Sequence, residues 1–106
     1  MKDIEIADKL CRICSSAKNR NIPFDMSFNK VKQLLQAKKC YYTGEVLTRI
    51  VNDDNELSFD RIDNEKGYID TNVVACSKRF NSIKSNLTVK EIEALYKGLK
   101  KKKLIQ

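Results

Sequence analysis

Apolar residues recur at helical spacing near the start of the chain, where Ile4, Ala7, Leu10, Cys11, Cys14 and Ala17 fall on one stripe. That period predicts an amphipathic helix from Asp3 to about Lys18. Asp3 and Glu5 lie in its first turn, where carboxylates complement the dipole. The helix should end at Arg20-Asn21-Ile22-Pro23, because a residue preceding proline disfavours the α region. Phe24 then anchors the linker on the core. A second helix starts after Ser27, a good N-cap, with Met26 and Val31 at hydrophobic-staple positions. Its inward face is Val31, Leu34 and Leu35, and it stops before Cys40.

From Cys40 the period changes. Cys40-Tyr41-Tyr42-Thr43-Gly44 reads as a short extended piece and a turn, followed by Glu45-Val46-Leu47. Asn52-Asp53-Asp54-Asn55 has no hydrophobic period and reads as a solvated turn. Strict alternation follows, with Leu57, Phe59 and Arg61 pointing one way and Ser58, Asp60 and Ile62 the other, which predicts a strand. Gly67 marks a polar break, as a residue that tolerates positive φ. Val73-Val74 predicts a second strand. From Ser77 the spacing is helical again, with Phe80, Ile83 and Leu87 inward and Lys78, Arg79 and Lys84 outward. Thr88 and Glu91 form a capping box for a last helix that buries Ile92, Leu95 and Leu99. The expected fold is α+β: one small domain with a strand–turn–strand–helix core, two N-terminal helices and a C-terminal helix. Its parts are 1–39 (helical), 40–87 (strands and helix) and 88–106 (basic helix and tail).

At 106 residues the chain is long enough for one modest core, so a large substrate should lie across its surface. The net charge of +7 is unevenly placed. Met1 to Cys76 carries 12 basic and 12 acidic residues, whereas Ser77 to Gln106 carries 9 and 2. A neutral body with a basic last third is the footprint of a polyanion partner, DNA or RNA. A solvated Lys100–Lys103 tail is the plainer alternative for that stretch. No secretory leader or membrane-length apolar run is seen, which points to a soluble, cytoplasmic protein. The four cysteines are Cys11, Cys14, Cys40 and Cys76. Only the first two have knuckle spacing, so structural zinc is disfavoured and buried free thiols in a reducing cytoplasm are expected.

The stretch from Ser58 to Lys84, through D-R-I-D, G-Y, N-V-V and F-N-x-x-K, resembles the HNH, or ββα-metal, endonucleases in their endonuclease VII-like branch; C-Y-Y-T-G matches more loosely. The resemblance implies an HNH-like ββα-metal core and a metal-dependent DNA endonuclease of low sequence specificity, of the small kind common in phages, acting in the host cytoplasm if phage-encoded. By position, it makes Asp60 and Asn81 the ligands of one divalent metal and Asn72 a loop-fixing residue beside Gly67. Thr43 and Phe80 stand where zinc-bearing relatives have cysteine. The family's general-base histidine falls on Arg61, and the chain has no histidine at all.

Oxygen ligands such as Asp60 and Asn81 suit Mg²⁺, with Mn²⁺ as a substitute. Arg61 cannot serve as a base, because guanidinium stays protonated. It has two readings: a bidentate clamp on the scissile phosphate, or an ion pair with Asp60 or Asp63. Tyr41, Tyr42, Asp63 and solvent hydroxide remain as bases. Lys78, Arg79 and Lys84 would hold backbone phosphates. The alternative function is a catalytically silent module that binds nucleic acid or protein on the same fold. Oligomeric state is left open.

Overall fold

Helix α1 spans Asp3–Asn19 and α2 spans Phe28–Leu35 in the computed structural model, which describes residues 1–106. Ser27 caps α2 by accepting from the Lys30 N–H, as its sequence position predicts. The two helices pack on each other and present Ile6, Ile13, Val31, Leu34 and Leu35 to a shared core. The buried face of α1 is therefore turned from the expected one. It runs through Ile6, Leu10, Ile13 and Ala17, while Ile4, Cys11 and Cys14 are exposed. Both stripes are regular at helical spacing. The observed one buries two isoleucines in place of two thiols, so more apolar area leaves water.

Four short strands complete the chain order: β1 (Phe24–Asp25), β2 (Leu57–Arg61), β3 (Tyr68–Ile69) and β4 (Val73–Ser77). β2 and β4 pair antiparallel with Asp60 opposite Val74 and Phe59 opposite Ala75. The expected alternation is present: Leu57 and Phe59 pack against the core, and Ser58 and Asp60 face the other side, towards α3 (Lys78–Lys84). β1 and β3 form a separate parallel pair that ties the linker after α1 to the β2–β4 connection. Gly67 is needed there for a close approach, not for positive φ. A Cβ at Gly67 would lie 2.3 Å from the Pro23 carbonyl oxygen. The positive-φ glycine is Gly44, at 76°, in the turn after Tyr41-Tyr42.

Helix α3 follows β4 directly, with Ser77 accepting from the Phe80 N–H, so the strand–strand–helix unit is present over the expected span. Two expectations for its faces are reversed: Ile83 is exposed and Lys84 is buried. The last helix, α4 (Val89–Lys101), has both halves of the Thr88–Glu91 capping box. It buries none of its residues, however, and Leu95 stands 58% exposed rather than in the core. No helix is long and apolar enough to cross a membrane.

Candidate functional site

Asp60 and Ser58 are two residues apart on β2, so both side chains project from the same face, about 7 Å apart along the strand. Asn81 and Lys84 are three apart on α3 and share one helix face, about 4.5 Å apart along the axis. The two pairs meet in register. Asn81 Nδ2 donates to Ser58 Oγ at 2.8 Å and to the Phe59 carbonyl at 3.3 Å. Lys84 Nζ lies 3.1 Å from Asp60 Oδ2 and donates to the Arg61 carbonyl at 3.0 Å. Tyr42 closes the cluster by donating its hydroxyl proton to Asp60 Oδ2 at 2.7 Å. Its ring stacks at 4.9 Å on Phe80 and stands 5.9 Å from the Lys84 ammonium.

Asp60 and Asn81, the two residues expected to share a metal, thus sit on neighbouring rungs of one face. Both contacts to Asp60 use Oδ2, and both contacts of Asn81 use Nδ2, so Oδ1 of each has no protein partner. Those two oxygens are a chemically suitable donor pair for a hard divalent ion that keeps most of its waters. No three His, Cys, Asp or Glu side chains converge as a set of metal ligands.

Lys84 does not stand on the exposed surface with Lys78 and Arg79, as expected of a phosphate contact. Its side chain is wholly buried, and its ammonium is consumed by Asp60 and a strand carbonyl. Lys78 donates to Asn52 Oδ1 at 2.9 Å and pairs loosely with Glu56, while Arg79 is exposed beside it. Arg61 pairs with neither Asp60 nor Asp63. Its side chain donates at 3.0 Å to the carbonyls of both Asn64 and Lys66, and its guanidinium sits 5.3 Å from the Tyr68 ring centre. It therefore braces the loop between β2 and β3. Asn72 braces the same loop from inside: its Oδ1 accepts from the Asp63 N–H, and its Nδ2 donates to the carbonyls of Asp63 and Gly67, each at 3.0 Å.

Of the candidate bases, Tyr42 is pushed well above the usual phenol range by burial first and then by its hydrogen bond to Asp60. It stays protonated and holds Asp60. Tyr41 is exposed and packs edge-on against Tyr42 at 5.3 Å. Asp63 is exposed in the loop, where its Oδ1 accepts from the Glu65 N–H.

Cys40 and Cys76 are buried near the same cluster. Burial pushes the Cys76 thiol up to about 12, helped by the charge of Asp60. Burial also raises the Cys40 thiol, but bonds from the Thr43 hydroxyl and from the N–H groups of Thr43, Ser77 and Tyr42 outweigh it and leave the thiol lower than usual. All four cysteines are free.

The parts that sequence reasoning missed are Ser58 as the partner of Asn81 and Lys84 as the partner of Asp60. The period-2 and i,i+3 spacings that unite them were present in the sequence. What was lacking was the rotation of α3 about its axis.

No protein-family model matches the chain, and no solved structure matches it significantly. It is 38% identical over 78 residues to an uncharacterized 29.0 kDa protein from the dda-modA intergenic region of Enterobacteria phage T4, an alignment covering 74% of this chain and 31% of that protein. It is also 39% identical over 72 residues to an uncharacterized protein of Acanthamoeba polyphaga mimivirus, covering 65% of this chain and 13% of the other. The chain thus spans less than a third of the curated relatives it matches, both of them viral.

Proposed function

We propose that this domain is a metal-dependent DNA endonuclease, with Asp60 and Asn81 holding one divalent ion, Mg²⁺ or Mn²⁺. The reading rests on one observation above all: each of these residues keeps an oxygen without a protein partner, on adjacent rungs of the β2–α3 face. A divalent ion there would stabilise charge on a phosphate and assist the leaving oxygen. The resemblance of D-R-I-D and F-N-x-x-K to the HNH endonucleases supports the same assignment. Ser58 would fix the Asn81 amide so that its carbonyl oxygen, not its nitrogen, is presented. Tyr42 and Lys84 would hold the Asp60 carboxylate in one orientation. With Tyr42 locked as a donor and Arg61 bound to the loop, the attacking water would lose its proton to solvent.

A second reading, binding without hydrolysis, draws on the Lys84–Asp60 contact. A resident ammonium already neutralises the carboxylate, so the fold satisfies Asp60 without any metal. Plasmid nicking in Mg²⁺ or Mn²⁺, with EDTA and Asp60→Ala as controls, separates the two. Hydrolysis predicts nicking that both controls abolish. Retained DNA binding with no nicking in any divalent ion would leave the binding module.

A further inference from the structure

A cleft of about 220 Å³ runs between α1 and β2, lined among others by Lys9, Arg12, Ser16, Ser58, Phe59 and Tyr68. Its floor is the edge of β2 that faces away from β4. The bonds from Lys78 N–H to Glu56 and from Ile62 N–H to Asn72 show that the even-numbered residues face β4. The N–H and C=O groups of Phe59 and Arg61 consequently point away from it.

The outer wall is a row of donors on α1. Lys9, Arg12 and Ser16 follow one another at three- and four-residue intervals, and Arg20, the C-cap beyond the cleft, continues the row over about 16 Å in all. Lys9 Nζ stands 4.9 Å from the Phe59 ring centre, and Arg20 donates to the Tyr68 hydroxyl. This row works against the fold's own electrostatics. Lys9 is held below the usual lysine range by burial, then by the nearby Arg12, and more weakly by Arg49, against an opposing pull from Glu56. The acidic groups of the region are Asp8, paired with Arg12 at 2.9 Å on the exposed side, and Glu56, paired with Lys78. Neither stands among the residues that line the cleft.

We infer that this cleft is the track for a single DNA strand, its phosphates following Lys9, Arg12 and Arg20. One row of cations, held over the Phe59 and Tyr68 rings, suits a strand rather than a duplex, which presents two rows of phosphates. Ser58 lines the cleft and binds Asn81, whose amide also reaches the Phe59 carbonyl, so a strand in this track runs along the edge of β2 that Asn81 caps. The inference rests on the nuclease reading and gives it a substrate form.

The test is fluorescence anisotropy of a labelled 20-mer oligothymidylate and of a labelled duplex, titrated with the 106-residue protein over a range of salt. Wild type should bind the strand more tightly than the duplex. Lys9→Gln/Arg12→Gln/Arg20→Gln should weaken strand binding tenfold or more and reduce the log–log salt slope by about 2, at roughly 0.7 per phosphate contact. Arg12→Glu alone, at a position exposed enough to leave folding intact, should cost three- to tenfold. Lys101→Gln/Lys102→Gln/Lys103→Gln should cost less than the groove triple. Two results overturn the inference while sparing the nuclease: plasmid nicking with a preference for duplex, or nicking with groove variants that bind strand like wild type. A wild type that binds neither DNA form overturns both.

Discussion

Lys84 and Asp60 face each other at 3.1 Å with side chains 0% and 8% exposed, and this pair dominates the chemistry available to the site. Removing one member of a buried pair costs about 3–5 kcal/mol, mostly because the other charge is stranded. Lys84→Met should therefore destabilise by that amount in chemical denaturation. It should also make the melting temperature respond to Mn²⁺, since the bare carboxylate then needs a cation; wild type should respond weakly by comparison. No response in either protein would mean that Asp60 does not reach the ion. The Cys76 thiol gives a separate signature in alkali. Its pKa is raised from 9.0 to about 12, so the unfolded chain releases a proton that the folded chain keeps. Its contribution is intact below about pH 9 and is lost as pH climbs towards 12, at up to about 1.4 kcal/mol per pH unit. Cys76→Ala should flatten the fall in melting temperature between pH 9 and 11 relative to wild type.

At the scale of elements, the β1–β3 bridge depends on one missing atom. Gly67→Ala would drive a Cβ into the Pro23 carbonyl, and overpacking of this kind costs typically about 1–3 kcal/mol. Hydrogen exchange at Tyr68, whose N–H donates to Pro23 at 2.8 Å, should accelerate in that variant. This bridge also shows where the sequence stopped being legible. Helix ends marked by Ser27, Ser77 and Thr88 could be read, because each cap acts within three residues of itself. The β2 face assignment could be read too, since a period of two admits only two answers. Helix rotation could not: α1 offered two stripes of equal regularity, and α3 offered Ile83 or Lys84 as its inward residue. In α3 a charge won over an aliphatic because Asp60 and the Arg61 carbonyl, both on another element, were waiting to receive it. Parallel pairing of two-residue strands lies below any local signal.

Over the whole molecule, the core built from α1, α2 and β4 is separate from the charge carried by α4. The stretch 88–106 holds six lysines and two glutamates, yet no residue of it is buried. A chain ending at Leu87 should keep its folding free energy within about 1 kcal/mol and, if the proposed function holds, should bind DNA more weakly and with less salt dependence than the whole chain, as paired melts and anisotropy titrations would record. The β2–β4 ribbon is only two strands wide, and such a ribbon ordinarily leaves two margins open. Here one margin is closed by Asn81 on the Phe59 carbonyl and Lys84 on the Arg61 carbonyl, and the other by the Tyr41 N–H on the Ala75 carbonyl. A third strand arriving from another molecule finds those acceptors taken. The lysine that neutralises Asp60 is thereby also a gatekeeper against cross-β assembly, keeping a minimal sheet from templating its own growth.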